Sequence, residues 1–450
     1  MNSHRAVVGN TKSTAVSGKL LLIPEENLRT GLDDFRSEHA DPTSLETDML
    51  TVASAIYACD LAFKRGEREE ITRSIILEIP VVNYHAFKNV NSDLELLLWT
   101  LSHDNWTLKF IHASGLPEAK RTWPQDKGAT ILFSGGVDSF AGAIDLLTKR
   151  GREAVQLASQ VTANPVTHHS QDELVSHLLS RFGPIGRLTV RSGGRKRGKY
   201  TFPSDADREE TQRTRSFVYL TIAALAARRT GHSELVVIAE NGQMAIHLPL
   251  SAARIGAFST HTAHPEFVTQ ATGLFNSIFD FSFRVTNPYL YKTKAEVVAT
   301  IPPEDTKALV QTVSCWRGSR VSSFNHCGDC IPCIVRRIAF EHNGIVLPEY
   351  RRNLFNEDVT ALQESDDGKR NLVELAEFAE VFRSNNDATL ELLFPDLIST
   401  EIDKTAAINM YRRFATEAIT VLNRYVGPAK LFLRRAGPAS NPPRGKASPR

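Results

Sequence analysis

Cysteine is scarce, with five residues in 450. Four of them fall between Cys315 and Cys333, and the fifth, Cys59, stands alone in an apolar stretch where it reads as a small core residue. A disulfide-stapled secreted protein spreads its cysteines along the chain, so that class is excluded. Charge bias is missing too. Lys and Arg number 53 against 51 Asp and Glu, a net charge of +2. A protein that coats nucleic acid through its bulk charge needs more, so any such contact has to come from a local patch. No apolar run nears the ~18 residues needed to cross a bilayer. The N-terminal stretch MNSHRAVVGNTKSTAVSGK has no apolar segment of a secretory signal. The expectation is a cytoplasmic protein with no membrane partner.

What is present is a globular composition, 42% hydrophobic and 23% charged. The pattern along the chain divides it into four parts. Residues 1–125 read as an N-terminal α+β domain, with helical spacing over Leu45–Phe63 and Leu94–Leu101 and strands over Ile71–Val82 and Trp106–Ile111. Residues 126–345 alternate strand and helix. The strands are Ala129–Phe133, Glu153–Ser159, Leu188–Val190 and Leu235–Ala239; the helices are Asp138–Arg150, Asp172–Phe182 and Glu210–Thr230. Such repetition predicts an α/β fold, a parallel sheet with helices on both faces and a ligand site at the carboxyl ends of its strands. Residues 346–433 read as a helical C-terminal extension, and 434–450 as a disordered basic tail rich in proline.

Two motifs carry chemistry. The strand ATILF runs into SGGVDS, Ser134–Ser139, and then into a helix. Two glycines permit a tight turn and a close backbone approach, and the loop N–H groups then face an anion. A capped Gly turn would explain Gly135, Gly136 and Asp138 alone, but not a serine at both ends. The loop lacks the lysine of GxxxxGK[ST], so it is no Walker-type site. The second motif is Cys315, Cys327, Cys330 and Cys333, spaced C-x11-C-x2-C-x2-C. Four thiolates so spaced wrap one tetrahedral Zn²⁺ and leave no open position, so the ion is structural. An iron–sulfur cluster uses the same ligands and competes. His326 lies beside the cluster without being needed.

SGGVDS after a strand resembles the PP-loop of ATP pyrophosphatases, which cleave between the α- and β-phosphates. With the cysteine cluster downstream, and with QRTRS (Gln212–Ser216), AENG (Ala239–Gly242) and NPYLYKTKAEVV (Asn287–Val298) in the same order, residues 127–345 resemble QueC. QueC converts 7-carboxy-7-deazaguanine to the 7-cyano base. The resemblance implies the PP-loop fold (adenine nucleotide alpha-hydrolase-like), ATP and Mg²⁺ as cofactors beside Zn²⁺, and a 7-deazaguanine-type substrate. It implies ATP contacts along Leu132, Phe133, Ser134, Gly135, Gly136, Val137, Asp138 and Ser139; Glu240 and Asn241, at a strand's carboxyl end, are placed to read a base or ribose, a simple turn at Asn241-Gly242 being the alternative. Asp138 orients the loop or contacts the metal. Arg215 and Lys294 are candidates for phosphate or carboxylate contacts, surface salt bridges being the alternative.

The chain departs from QueC in its first 125 and last 100 residues, and at SQVTANPVTHHS and GAFSTHTAHPEF. In this it looks like the QueC-like proteins of bacterial anti-phage loci, QatC of the Qat system and a type IV CBASS group. That resemblance implies a ligase joining the deazaguanine carboxylate to an amine, with a protein encoded nearby as acceptor. Nitrile synthesis, tRNA modification and a non-catalytic assembly role are the alternatives. His168, His169, His261 and His264, in the divergent segments, are candidate bases. The basic run Arg191–Lys199 could close over phosphates or hold RNA or an acidic protein; a solvated loop explains it equally. The oligomeric state is left open.

Overall fold

The computed structural model describes residues 3–10, 17–38, 41–66, 72–118, 126–161, 165–251, 263–279, 281–317 and 324–433. The 434–450 tail and His261 lie outside this set. Strands β1 (Ser3–Val8), β2 (Leu20–Leu22), β3 (Leu28–Arg29), β4 (Ser74–Val81) and β5 (Asn105–His112) precede the glycine loop. Strand β6 (Asp126–Leu132) leads into that loop, and β7 (Val155–Gln160), β8 (Gly186–Val190), β9 (Gly193–Gly194), β10 (His232–Val237) and β11 (Arg284–Thr286) follow it.

Two parallel sheets result, ordered β2-β1-β4-β5 and β11-β10-β6-β7-β8. The fold is α/β, as the strand–helix alternation predicts. β7 is buried at every position, and its VQLASQ sequence fits a strand covered on both faces. In the second sheet the chain steps from β6 to β7 and β8, then crosses back to β10 and β11. The strand order therefore reverses beside β6, and the loops after β6 and β10 open into the crevice where such sheets bind ligands.

One apolar core runs across both sheets. Leu22, Ile75, Leu77 and Trp106 share it with Ala158, Leu188, Phe217 and Phe275. The helix Arg215–Thr230 is the joint, packing on β6, β7 and β10 and on the helix Ser44–Ala62. Burying each such side chain contributes roughly 1.5–3 kcal/mol. Cys59 lies fully buried in this core, as a small apolar residue would. A polar junction sits beside it. Asp60 pairs with Arg73 at 2.5 Å and accepts the Thr214 N–H at 2.8 Å, fixing the start of the helix that carries Arg215.

The basic run folds against the N-terminal region. β9 pairs with β3, Arg191 pairs with Asp34 at 2.7 Å, and Arg195 donates to the Glu26 carbonyl at 3.0 Å. A second core gathers Ile246, Ile331, Leu372, Phe378, Tyr411 and Phe414, and holds the helices Asp367–Ser384 and Lys404–Leu422 against the α/β part. Among the described residues no helix is long and apolar enough to cross a membrane.

Candidate functional site

The SGGVDS loop leaves β6 and turns at Gly135, whose φ of +82° favours glycine. A Cβ there would stand 2.8 Å from Gln171 Cγ. Gln171 instead donates its amide to the Ser134 carbonyl at 3.0 Å. Ser139 Oγ donates to the Gly136 carbonyl at 3.1 Å and lies 3.2 Å from Ser134 Oγ, so both serines brace the turn. Val313 N–H donates to the Gly135 carbonyl at 3.1 Å, laying the segment before Cys315 along the loop.

A cavity of about 190 Å³ opens over this loop. Its walls bring together residues far apart in the chain. Lys294 Nζ lies 2.5 Å from Asp138 Oδ2, and Asn241 Nδ2 donates to the same oxygen at 3.0 Å. Lys294 opens a short helix capped by Thr293, with Glu296 closing a capping box, and its own N–H donates to Gln243 Oε1 at 2.7 Å. Glu240 lines the same cavity. Burial, then the Asp138 charge beside it, push its carboxyl up to about 7, and Lys294 partly offsets them. Asp138 Oδ1 is buried with no hydrogen-bond partner among the described residues. Two carboxylates, one with an idle oxygen and one whose pKa is raised by burial and then by the neighbouring charge, are what a divalent cation would relieve. The donor set fits Mg²⁺, and Asp138 and Glu240 would hold it.

The sequence candidates divide in space. Ser134, Gly136, Val137, Asp138, Ser139, Glu240 and Lys294 line the cavity. Asn241 is buried behind Asp138. Leu132 ends β6, and Phe133 N–H donates to the Ala158 carbonyl at 2.8 Å, so these two anchor the loop in the sheet. Arg215 is elsewhere, at the carboxyl end of β7. Its Nε donates to Gln160 Oε1 at 3.3 Å, its guanidinium sits 4.9 Å from the Tyr219 ring centre, and no carboxylate among the described residues pairs with it. His168 and His169 belong to the helix Pro165–Phe182 and face Asp172 and Glu173 on their own helix, at 2.8 and 3.2 Å. His264 is buried, which with the neighbouring His247 holds it down at about 4 and neutral.

The four cysteines converge. Their sulfurs all lie within 4.8 Å of one another, and Cys327 and Cys333 are 3.8 Å apart. Ligands about 2.3 Å from a shared tetrahedral ion stand roughly 3.8 Å from each other, so the set fits a metal such as zinc. Arg317 and Cys327 N–H groups point at Cys315 Sγ, at 3.3 and 3.4 Å, as donors to a thiolate do. The cluster walls the cavity: Trp316 follows Cys315, and Pro332 and Val335 flank Cys333.

Several site residues escaped the sequence reading. Gln171, Gln243, Met244 and Trp316 sit in or against the cavity. Trp316 had a signal, its place next to a ligand cysteine. The glutamines had none, because their partners lie 37 and 51 residues away.

Residues 208–344 match the sequence family described as "Queuosine biosynthesis protein QueC". That stretch holds Arg215, Glu240, Lys294 and all four cysteines, and begins after the glycine loop. A 7-cyano-7-deazaguanine synthase from Paracoccus denitrificans (strain Pd 1222) is 26% identical over 170 residues, covering 35% of this chain and 64% of that enzyme. The chain thus spans less than two thirds of that relative. The match and the relative make this part of the chain similar to QueC proteins, and the parallel sheet with its cavity over SGGVDS agrees with that similarity.

Proposed function

We propose that the protein adenylates a 7-carboxy-7-deazaguanine-type carboxylate and passes the acyl group to an amine. The observation that carries this reading is the cluster of Lys294, Asp138, Asn241 and Glu240 in one cavity over a glycine loop, at the reversal of strand order. Loop N–H groups receive phosphate oxygens, and Lys294 supplies a point charge. Bound with ATP, Mg²⁺ would spread the phosphate charge. Arg215, half-buried and without a carboxylate of its own among the described residues, offers a planar fork to the substrate carboxylate.

The carboxylate oxygen attacks the α-phosphorus, the bond to the bridging oxygen breaks, and pyrophosphate leaves with that electron pair. The amine nitrogen then attacks the acyl carbon, the bond to AMP breaks, and the amine gives up a proton. Positioning and charge stabilisation are the protein's share. The four-cysteine cluster, with zinc, would hold the cavity wall. The anti-phage setting and a protein acceptor belong to this proposal through the resemblance to QatC-type proteins alone; 256–262, part of the segment carrying it, lie outside the described residues. A second reading, nitrile synthesis with ammonia as the amine, is favoured by the similarity to the Paracoccus enzyme.

The test is incubation with ATP·Mg²⁺ and 7-carboxy-7-deazaguanine, with ammonia or with proteins of the gene neighbourhood, following pyrophosphate and intact masses. Pyrophosphate released only with the base, and lost in Asp138→Ala at unchanged zinc content, supports the reading. Activity surviving Asp138→Ala, or no pyrophosphate under any condition, refutes it.

A further inference from the structure

A second cavity, of about 100 Å³, adjoins the first and shares Met244, Trp316 and Val335 with it. Its far walls come from the C-terminal helical layer, through Leu375, Phe378 and Phe414. It is about two thirds of the ~150 Å³ apolar cavity known to take up benzene, so it suits a branched alkyl group or a single ring. Its lining is mostly aliphatic and aromatic, with Gln243, His247 and Tyr411 as polar members; the Tyr411 hydroxyl already accepts from the Leu248 N–H at 3.3 Å. Gln243 is 8% exposed, and its Oε1 is engaged by the Lys294 N–H. Its Nε2 is buried without a hydrogen-bond partner among the described residues. A buried donor so left is unfavourable unless a ligand accepts from it. A largely apolar hollow that has Gln243 in its wall and shares walls with the cavity where acyl transfer is proposed has the make-up of a ligand site.

We propose that this second cavity is the subsite for the amine co-substrate, which carries a compact uncharged apolar group with one acceptor atom. The proposal rests on the acyl-transfer reading above, and it separates that reading's two forms. Ammonia has nothing to place in such a hollow. A charged group would lose most of its hydration among these largely apolar walls. The shared walls keep the amine end in the first cavity while the apolar end fills the second.

Furfurylamine, whose ring oxygen can accept from Gln243, benzylamine, and the charged agmatine are compared on the full chain with ATP·Mg²⁺ and 7-carboxy-7-deazaguanine. The expected result is conjugation of the two ring amines with a KM about tenfold or more below that of agmatine. Leu375→Trp, which fills the hollow, should raise the ring-amine KM about tenfold while carboxylate-dependent pyrophosphate release keeps its rate. Phe414→Leu, a milder change, should shift preference toward a larger naphthylmethylamine. Equal use of all three amines, or ring-amine KM values indifferent to both variants, overturns the proposal. Saturation-transfer NMR of furfurylamine on the resting protein needs no turnover. Binding that Leu375→Trp removes supports the subsite even where pyrophosphate release fails and the acyl-transfer reading falls with it. Displacement of the ring amines by adenosine alone assigns the hollow to adenine and overturns it.

Discussion

Thr293 Oγ1 donates to Glu417 Oε1 at 2.7 Å, joining the helix Lys404–Leu422 to the cap of the helix that begins with Lys294. Arg413, one turn earlier on the same helix, pairs with Glu296 at 2.6 Å and donates to the Tyr291 carbonyl at 2.8 Å. The C-terminal layer therefore fixes the approach of Lys294 to Asp138.

Burial pushes Glu417 up to about 7, with Glu296 adding to the shift and Thr293 and Arg413 opposing it. Its folded pKa is thus above the ordinary 4.5, and the folded state binds the extra proton between these values. Stability then falls as pH rises from about 4.5 through about 7, by no more than roughly 3 kcal/mol. Glu417→Gln should match the native protein at pH 4.5 and exceed it at pH 8 in denaturant unfolding. Equal loss of stability with pH in both proteins would refute this.

Lys294→Met removes the cation that opposes the shift of Glu240. Its carboxyl should then titrate above about 7, visible by infrared difference spectroscopy against Glu240→Gln. Carboxylate-dependent pyrophosphate release should drop about a hundredfold or more. An unchanged rate removes Lys294 from the phosphate site.

Arg215→Lys keeps the charge and loses the fork. The expected outcome is a KM for the carboxylate raised about tenfold or more, with the KM for ATP unchanged. A change in the ATP constant alone would move Arg215 to the nucleotide.

Gly135→Ala forces an L side chain into a left-handed turn, at about 1–2 kcal/mol, and against Gln171 Cγ at 2.8 Å. ATP-dependent turnover should fall about tenfold. Adding Gln171→Ala relieves the contact but not the backbone, so only part of the loss should return.

Metal analysis should find one zinc per chain, and Cys333→Ser should lose it together with the ordered wall formed by Trp316 and Val335. Structural zinc of this kind contributes on the order of 10 kcal/mol, so chelation should lower the melting temperature. One chain with bound iron and visible-range absorption would favour a cluster instead.

The strand–helix alternation, the glycine loop and the cysteine spacing were legible because each is a local pattern. Helix limits shifted where caps decided them: the helix read from Glu210 starts at Arg215, after Asp60 takes the Thr214 N–H. The strand Ser3–Val8 went unread, being short and mixing exposed, half-buried and buried positions without a clean alternation. The adjacency of Asp138 and Lys294 spans 156 residues, and that of Thr293 and Glu417 spans 124. Residue identity hinted at the first, through the resemblance to QueC. Nothing in the periodicity of the C-terminal helix sets Glu417 apart from a solvated glutamate, because its role depends on which side of the α/β part that helix covers.

Trp316 is 54% exposed and stands at the mouth of both cavities. An indole so placed changes its fluorescence when water around it is replaced by a ligand. The molecule thus carries its own optical reporter, able to time the arrival of nucleotide and of amine in a single stopped-flow trace, with Trp316→Phe as the control that keeps only the signal of the other three tryptophans.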